Sequence, residues 1–133
     1  MSKNVELVRS IVGEWERGDY RNVEWADPKI EFVLIGGIDP GTSNGVSAMG
    51  KAWRGWLSEF DDFRTTAEEF RELDEERVLV LTNNSGRGKR SGIQLGETST
   101  PGATVFYVLD GKVTRLLAYS ERERALADLG LSR

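Results

Sequence analysis

The last third of the chain alternates apolar and polar positions in a way that predicts two paired strands followed by a helix. Ala103 to Leu109 and Val113 to Tyr119 are alternating segments on either side of Asp110-Gly111, and this dipeptide is the strongest short-range signal of a β-hairpin. Ser120 and Glu123 then fit a capping box ahead of an apolar helical pattern. The segment therefore predicts strand, tight turn, strand and short C-terminal helix.

The N-terminal part of the chain has the helical spacing of apolar residues. This spacing predicts a first helix from about Asn4 to Arg17, and Gly18 lies where a C-terminal cap belongs. A short helical turn is expected from Asp19 to Trp25, ended by Asp27-Pro28. Ile30 to Ile35 then predicts a short strand.

A glycine-rich segment from Gly36 to Gly45 predicts a surface loop before a second helix. The second helix has a wide apolar stripe formed by Ala48, Met49, Ala52, Trp53, Trp56, Leu57 and Phe60. A stripe of this width can face both a sheet and a cavity.

The segment Phe63 to Leu73 fits two structures. Phe63, Ala67 and Phe70 have helical spacing, but one bulge would also place Phe63 and Phe70 on the same face of a strand. We favour the bulged strand because Thr65-Thr66 has high strand propensity.

Arg77 to Arg87 predicts a further strand. Together these elements predict an α+β fold in a single domain of residues 1–133, with a strongly curved antiparallel sheet of three or four strands wrapped around the N-terminal helices.

Composition excludes several kinds of chemistry. The 133 residues include no Cys and no His, so neither a Ser-His nor a Cys-His nucleophile pair can form. A zinc site is not expected, because zinc prefers thiolate and imidazole ligands, and we expect no metal and no cofactor. Any catalysis would depend on Asp, Glu, Tyr, Lys or Arg.

The charge pattern indicates a soluble protein. Charged residues make up 30% of the chain and the net charge is −4, which disfavours nucleic acid as a partner. The longest apolar runs are too short to span a membrane, and no signal peptide is recognised. We therefore expect a cytoplasmic protein without nucleic-acid or membrane partners.

The order of short motifs along nearly the whole chain resembles the SnoaL-like branch of the NTF2-like superfamily. The motifs are Glu14-Trp15-x-x-Gly18-Asp19, Asp27-Pro28-x-Ile30-Glu31-Phe32, Gly45-x-x-Ala48-Met49-x-x-Ala52-Trp53, Glu68-Glu69-Phe70, Gly86-Arg87-Gly88, Asp110-Gly111-Lys112-Val113-x-Arg115 and Tyr119-x-Glu121-Arg122-x-x-Ala125-Leu126. The resemblance implies an NTF2-like cone, with a small-molecule cavity between helices and sheet and a homodimer through the outer face of the sheet.

The resemblance does not identify a reaction. Ketosteroid isomerases of the superfamily carry a general base where this chain has Phe32, and similar proteins often carry His where it has Thr104. The Asp-Arg-Asp arrangement of the epoxide hydrolases is not recognised. Fold alone does not assign function.

Aromatic residues are the main candidates for a ligand pocket. The predicted pocket residues are Trp15, Tyr20, Phe32, Trp53, Trp56 and Tyr119. Each could instead belong to an ordinary core, although Trp is hard to bury without a partner for its indole N–H. Tyr20 and Tyr119 could each donate a hydrogen bond to a ligand carbonyl.

Three charged residues are weaker candidates for catalysis. Arg87 and Arg115 could lie on neighbouring strands and stabilise an anion, or could belong to a solvated face or a dimer salt bridge. Glu97 could act as a general base if burial raised its pKa, or could be a solvated carboxylate.

The sequence thus predicts a protein that binds an apolar or aromatic metabolite. The alternatives are a cofactor-independent isomerase, cyclase or hydrolase, and a non-catalytic dimerisation or protein-binding module.

Overall fold

The computed structural model describes residues 2–36, 40–58, 60–88 and 100–131, without the side chains of residues 60–62, 87–88 and 100. Three helices and six strands lie in these ranges. They are α1 (Lys3–Glu16), β1 (Ala26–Ile35), β2 (Gly41–Asn44), α2 (Val46–Leu57), β3 (Phe60–Glu72), β4 (Arg77–Gly88), β5 (Thr100–Leu109), β6 (Lys112–Tyr119) and α3 (Arg122–Asp128).

The six strands form one sheet in the order β2-β1-β6-β5-β4-β3. All neighbouring strands are antiparallel except β1 and β6, which are parallel. The predicted α+β class is confirmed. The expected number of three or four strands was too low, because β2 completes one edge of the sheet and β1 joins it through a parallel pair with β6.

The two faces of the sheet are covered by different helices. Helices α1 and α2 pack on the face that we call the inner face, where Ile30, Phe32 and Phe106 are among the fully buried residues. Helix α3 packs on the opposite face, the outer face, against Val105 and Leu117. The chain therefore has one apolar layer on each side of the sheet.

Helix α1 begins two residues from the start of the chain and ends close to the predicted position. The Ser2 hydroxyl accepts a hydrogen bond from the Val5 backbone N–H at 3.1 Å and caps the helix. Gly18 follows the helix with φ of 81°, the left-handed conformation that favours glycine at a helix C-terminus. The residue pattern therefore predicted this helix to within one residue at each end.

The segment between α1 and β1 differs from its prediction. No helical turn forms from Asp19 to Trp25; the Asp19 carboxylate instead accepts a hydrogen bond from the Arg21 N–H at 3.1 Å. Strand β1 begins at Ala26 rather than Ile30. The Asp27 side chain, which was expected to end a helix, accepts from Lys29 N–H inside the strand at 2.8 Å.

The predicted loop from Gly36 to Gly45 contains a short strand. Residues Gly41–Asn44 form β2, which pairs with β1 through residues such as Phe32 and Val33. This strand is polar and mostly exposed, so it lacks the apolar alternation by which a strand is recognised in a sequence.

The hairpin before β6 is confirmed, whereas the cap of α3 is different from the prediction. Asp110 and Gly111 both have positive φ, 51° and 76°, as a type I′ turn requires. Ser120 does not cap α3, since the N-cap residue is Glu121 and makes no side-chain cap bond. The Ser120 hydroxyl instead donates to the Ile35 carbonyl at 3.3 Å.

Segment 63–73 is a strand with bulges, as favoured from the sequence. Ala67 pairs with Thr82 and Glu69 pairs with Leu81, so Glu68 is the extra residue. Beyond the bulge, Phe70 packs on the inner-face cluster.

Candidate functional site

Four aromatic side chains from α1, α2 and the segment between α1 and β1 form a continuous surface above the inner face. We call Trp15, Tyr20, Trp53 and Trp56 the aromatic wall. The ring centroid of Trp53 lies 5.3 Å from that of Trp15, 5.8 Å from that of Tyr20 and 5.9 Å from that of Trp56. Trp53 and Trp56 come together because they are three residues apart on one helix.

The aromatic wall borders two cavities. The inner cavity, of about 60 Å³, lies between the wall and the inner face of the sheet. The side chamber, of about 350 Å³, lies between the wall, the segment between α1 and β1, and the part of α2 from Met49 to Arg54. Trp15, Tyr20 and Trp53 line both spaces. A movement of these rings would therefore alter both cavities together.

The sheet side of the inner cavity carries short polar side chains. We call Thr65, Thr82, Asn84 and Thr104 the polar floor; all four line the cavity. The Thr65 hydroxyl donates to the Asn84 side-chain oxygen at 2.7 Å. This bond fixes the Asn84 amide and directs its nitrogen towards Gly102. A Cβ on residue 102 would lie only 2.5 Å from the Asn84 nitrogen, so only glycine fits there without a shift of the amide. The cavity thus has an aromatic wall on one side and a polar strip on the other.

Tyr20 is the polar group of the aromatic wall. Its hydroxyl is buried and has no hydrogen-bond partner, and within the described ranges no other buried side-chain polar atom is in this state. Burial raises the pKa of Tyr20 to about 12, so the hydroxyl is protonated at neutral pH and can donate. A buried donor without a partner costs free energy, and an acceptor on a bound molecule would remove that cost.

Of the other two predicted pocket residues, Phe32 lines neither cavity, whereas Tyr119 borders the inner cavity but directs its hydroxyl to α3. Phe32 is fully buried beneath Trp53, with the rings edge to face at 5.2 Å, and lines neither cavity. Tyr119 borders the inner cavity, yet its ring belongs to the outer-face cluster and its hydroxyl donates to Asp128 of α3 at 3.1 Å. Burial, helped by this bond to Asp128, raises the pKa of Tyr119 to about 12. Its hydroxyl therefore fastens α3 and does not face the cavity.

Arg115 is the charged candidate whose side chain the structure describes, and it does not line the inner cavity. Arg115 lies on the outer face, where its guanidinium pairs with Glu31 at 2.6 Å and lies 5.3 Å from the Tyr107 ring centroid. Arg87 is on β4, and β5 separates that strand from Arg115 on β6, so the expected neighbouring strands were wrong. Glu97 lies outside the described residues.

Sequence analysis missed the polar floor. Its residues come from three strands: Thr82 and Asn84 from β4, Thr65 from β3 and Thr104 from β5. The signal in the sequence was a set of polar side chains at strand positions that face the inner side of the sheet, where the other residues of these strands are mostly apolar. That parity could not be assigned without the positions of the bulges.

No cluster of three or more Asp, Glu, Cys or His side chains in the described ranges of the chain could hold a metal ion. None of the described helices is long and apolar enough to cross a membrane.

Comparison with solved structures identifies the fold. An NTF2-like protein of unknown function from Burkholderia pseudomallei superimposes with a TM-score of 0.77 over 96% of this chain and 97% of that one, at 18% sequence identity. The chain has the NTF2-like fold. A protein described as a SnoaL-like polyketide cyclase from Jannaschia matches with a TM-score of 0.67, at 19% identity over 86% of this chain and 83% of that one.

A third similar structure was obtained by co-crystallisation with a small molecule. TerC, co-crystallised with polyporic acid, matches with a TM-score of 0.72 and 19% identity over 96% of this chain and 98% of that one. No protein-family model and no curated protein sequence matches the chain. The likeness at these identities establishes the fold and leaves the reaction open.

Proposed function

We propose that the protein binds a small, largely apolar molecule in the inner cavity, with a hydrogen-bond acceptor of that molecule at the Tyr20 hydroxyl. The observation that carries this proposal is the buried and unpartnered hydroxyl of Tyr20 in an otherwise aromatic wall. Neutral acceptors such as a ketone or quinone oxygen suit this donor, because a neutral acceptor carries no charge that would have to be desolvated on binding.

The dimensions of the inner cavity set the size of the bound group. A volume of about 60 Å³ is well below the several hundred cubic ångströms of a drug-sized pocket. It suits one end of a larger molecule that enters past the aromatic wall, since the cavity that holds a whole benzene ring is about 150 Å³. The polar floor would meet the far side of such a group, since Asn84 and the three threonines face the same space.

The two alternatives from the sequence are less well supported. An inward carboxylate would favour the isomerase, cyclase or hydrolase, and among the described residues that line the inner cavity none is Asp or Glu. A collapsed or entirely apolar cavity would favour the protein-binding module, whereas this cavity is open and has a polar floor. Binding of a small molecule therefore accounts for more of the site than either alternative.

We further propose a homodimer and a cytoplasmic location. The dimer would use the part of the outer face that α3 leaves open, where Val33, Ile35 and Tyr107 are only half-buried. The absence of Cys and the net charge of −4 suit the cytoplasm. Fractionation of the host cell with an antibody to the protein would test the location.

Native mass spectrometry of protein purified gently from its own host tests the binding proposal. We expect a discrete added mass that is lost at higher collision energy and that is much reduced when Trp53 is replaced by alanine. Protein that carries no added mass at any collision energy, and that is not shifted in melting temperature by any compound of an aromatic ketone library, would argue against the proposal.

A further inference from the structure

The side chamber has the size, the lining and the charge of a second binding site. Its volume of about 350 Å³ falls in the range of small-molecule pockets. Apolar side chains line most of it: Trp15, Val23, Trp25, Met49, Trp53 and Leu116. Only two charged residues among the described ones line it, and both are arginines, Arg21 and Arg54.

The two arginines differ in how their charges are compensated. The Arg21 guanidinium pairs with the Asp19 carboxylate at 3.2 Å. The hydrogen bond from the Arg21 backbone N–H has the largest effect in lowering the pKa of the Asp19 carboxyl, and the bond from the Arg21 side chain lowers it further. Arg54 has no ion pair or hydrogen bond to another side chain in the described part of the protein. Arg54 is exposed at the rim of the chamber, so its guanidinium is available to an anionic group of a bound molecule.

The conformation of Arg54 places its charge at the chamber and not at the end of its helix. Arg54 lies in the last turn of α2, where a cation stabilises the helix dipole. Its side chain runs back towards Gly50, and a terminal guanidinium nitrogen lies 3.1 Å from the position that a Cβ of Gly50 would take. Gly50 itself lines the chamber, so the guanidinium lies directly beside the apolar space.

We propose that the side chamber binds an aromatic monoanion, with its rings against Trp25, Trp53 and Met49 and its anionic group at the Arg54 guanidinium. An anion at this position gains a charge-assisted hydrogen bond, and the aromatic rings replace water at an apolar surface. This site is separate from the inner cavity, because the inner cavity has neither the room for two rings nor a cation in its described lining.

A pair of probes that differ mainly in charge tests the assignment. 8-Anilinonaphthalene-1-sulfonate carries one sulfonate, and N-phenyl-1-naphthylamine has the same ring system without it. In fluorescence titrations, Arg54→Gln should weaken binding of the sulfonate about tenfold and change binding of the neutral probe less than twofold. Arg21→Gln is the matched control at the other side of the chamber, and it should weaken sulfonate binding less than threefold because Asp19 already compensates that arginine.

Two glycines of α2 show whether the probes occupy the chamber. Gly50→Leu would place a side chain in the chamber and should weaken both probes at least about tenfold. Gly55→Leu lies on the same helix, where a Cβ would meet no atom within 4 Å, and it should leave both probes unaffected. Circular dichroism of each variant establishes that the fold is retained.

The Arg54→Gln and Gly50→Leu variants test different parts of the proposal. Sulfonate affinity that Arg54→Gln leaves within twofold, or an equal loss for both probes, would overturn the assignment of the anion to Arg54. Unchanged binding in Gly50→Leu would place the probes elsewhere and overturn the chamber as the site. Neither result bears on the inner cavity, which single-ring molecules test.

Discussion

At the scale of single residues, Trp53 has the most consequential position because it borders both cavities. Trp53→Ala would join two existing spaces instead of opening a new one in a packed core. We expect its loss of stability to be clearly less than the 3–5 kcal/mol or so of a packed aromatic truncated to alanine. Affinity for apolar probes should change at the same time.

Phe106→Ala is the control for Trp53→Ala. Phe106 is fully buried and packs 5.7 Å from Trp15, centroid to centroid, so its truncation should show the full loss. Chemical denaturation of wild type and both variants gives the comparison. A loss in Trp53→Ala as large as that in Phe106→Ala, with unchanged probe affinity, would place Trp53 in the core.

Tyr20 should make stability depend on alkaline pH. Burial raises its pKa to about 12, above the value of about 10 for an unfolded chain. As pH rises between these values, the unfolded chain releases a proton that the folded protein retains, so the free energy of unfolding falls. The stabilisation is complete below about pH 10.

Denaturation at about pH 8 and about pH 11 measures this dependence. Tyr20→Phe should lose less stability than wild type between the two pH values, because its contribution to the proton release is absent. Tyr119→Phe should behave similarly, since the pKa of Tyr119 is also raised to about 12. The same pH dependence in wild type and both variants would contradict the burial of these hydroxyls.

Residue spacing identified the tryptophans of the site but not the state of Tyr20. Helical spacing predicted Trp15 on the apolar face of the first helix, and Trp53 and Trp56 on the apolar stripe of the second. The Tyr20 hydroxyl is unpartnered because residues 19–23 follow an irregular path, which no periodicity describes. Arg115 faces outward after a register shift between Tyr107 and Val108, and such a shift has no local sequence signal.

At the scale of elements, the bulge of β3 is held by a side chain from α1. The Glu16 carboxylate accepts a hydrogen bond from the Ala67 backbone N–H at 3.0 Å, directly before the extra residue Glu68. Glu16→Ala should lower the free energy of unfolding by about 1 kcal/mol, because this N–H then loses its partner. Glu16→Gln keeps a hydrogen-bond acceptor, so its free energy of unfolding should fall clearly less than that of Glu16→Ala. Urea denaturation checks both, and equal losses would show that the carboxylate contributes through charge alone.

The elements that the sequence predicted well are those with strong periodicity or a specific turn. Helix α1, the Asp110-Gly111 hairpin and the bulged β3 belong to this group. The missed features have weak or non-local signals: β2 is short and polar, and the parallel pairing of β1 with β6 joins segments that are far apart in the chain. The Ser120 capping box matched its pattern, but tertiary contact with Ile35 recruited the hydroxyl.

At the scale of the whole molecule, α3 changes the argument for a dimer. The dimer was expected because β5 is apolar on both faces, which would leave one face exposed. Val105, on the outer face of β5, is fully buried within the single chain because α3 covers it. The exposed remainder includes Leu109, which is 52% exposed. The interface of the proposed dimer would therefore be smaller than the sequence suggested.

Sedimentation velocity at micromolar concentration tests the dimer. The chain has a mass of 14.9 kDa, so a homodimer would sediment as a species of about 30 kDa. We expect this species, and we expect Tyr107→Glu to shift it towards the monomer by placing a charge on the open outer face. A wild-type protein that sediments as a monomer throughout would reject the dimer.

The fold as a whole could be predicted from the order of its elements, whereas its chemistry could not. An α+β arrangement with helices on an apolar sheet follows from hydrophobic patterning, and fold alone permits many functions. The cavities depend on how four aromatic rings meet above the sheet, and this is a matter of tertiary packing. The central claim therefore concerns the inner cavity and the buried, unpartnered hydroxyl of Tyr20.

Acetophenone and ethylbenzene provide the most direct test, because they differ mainly in one carbonyl oxygen. The affinities of both are measured for wild type and Tyr20→Phe by tryptophan fluorescence or calorimetry. We predict that the preference for acetophenone falls at least about fivefold in Tyr20→Phe, the equivalent of one buried hydrogen bond. The unliganded variant should be as stable as wild type or more stable, because it lacks the unpaired hydroxyl. A preference that is the same in both proteins, or a variant that is clearly destabilised without ligand, would contradict the account.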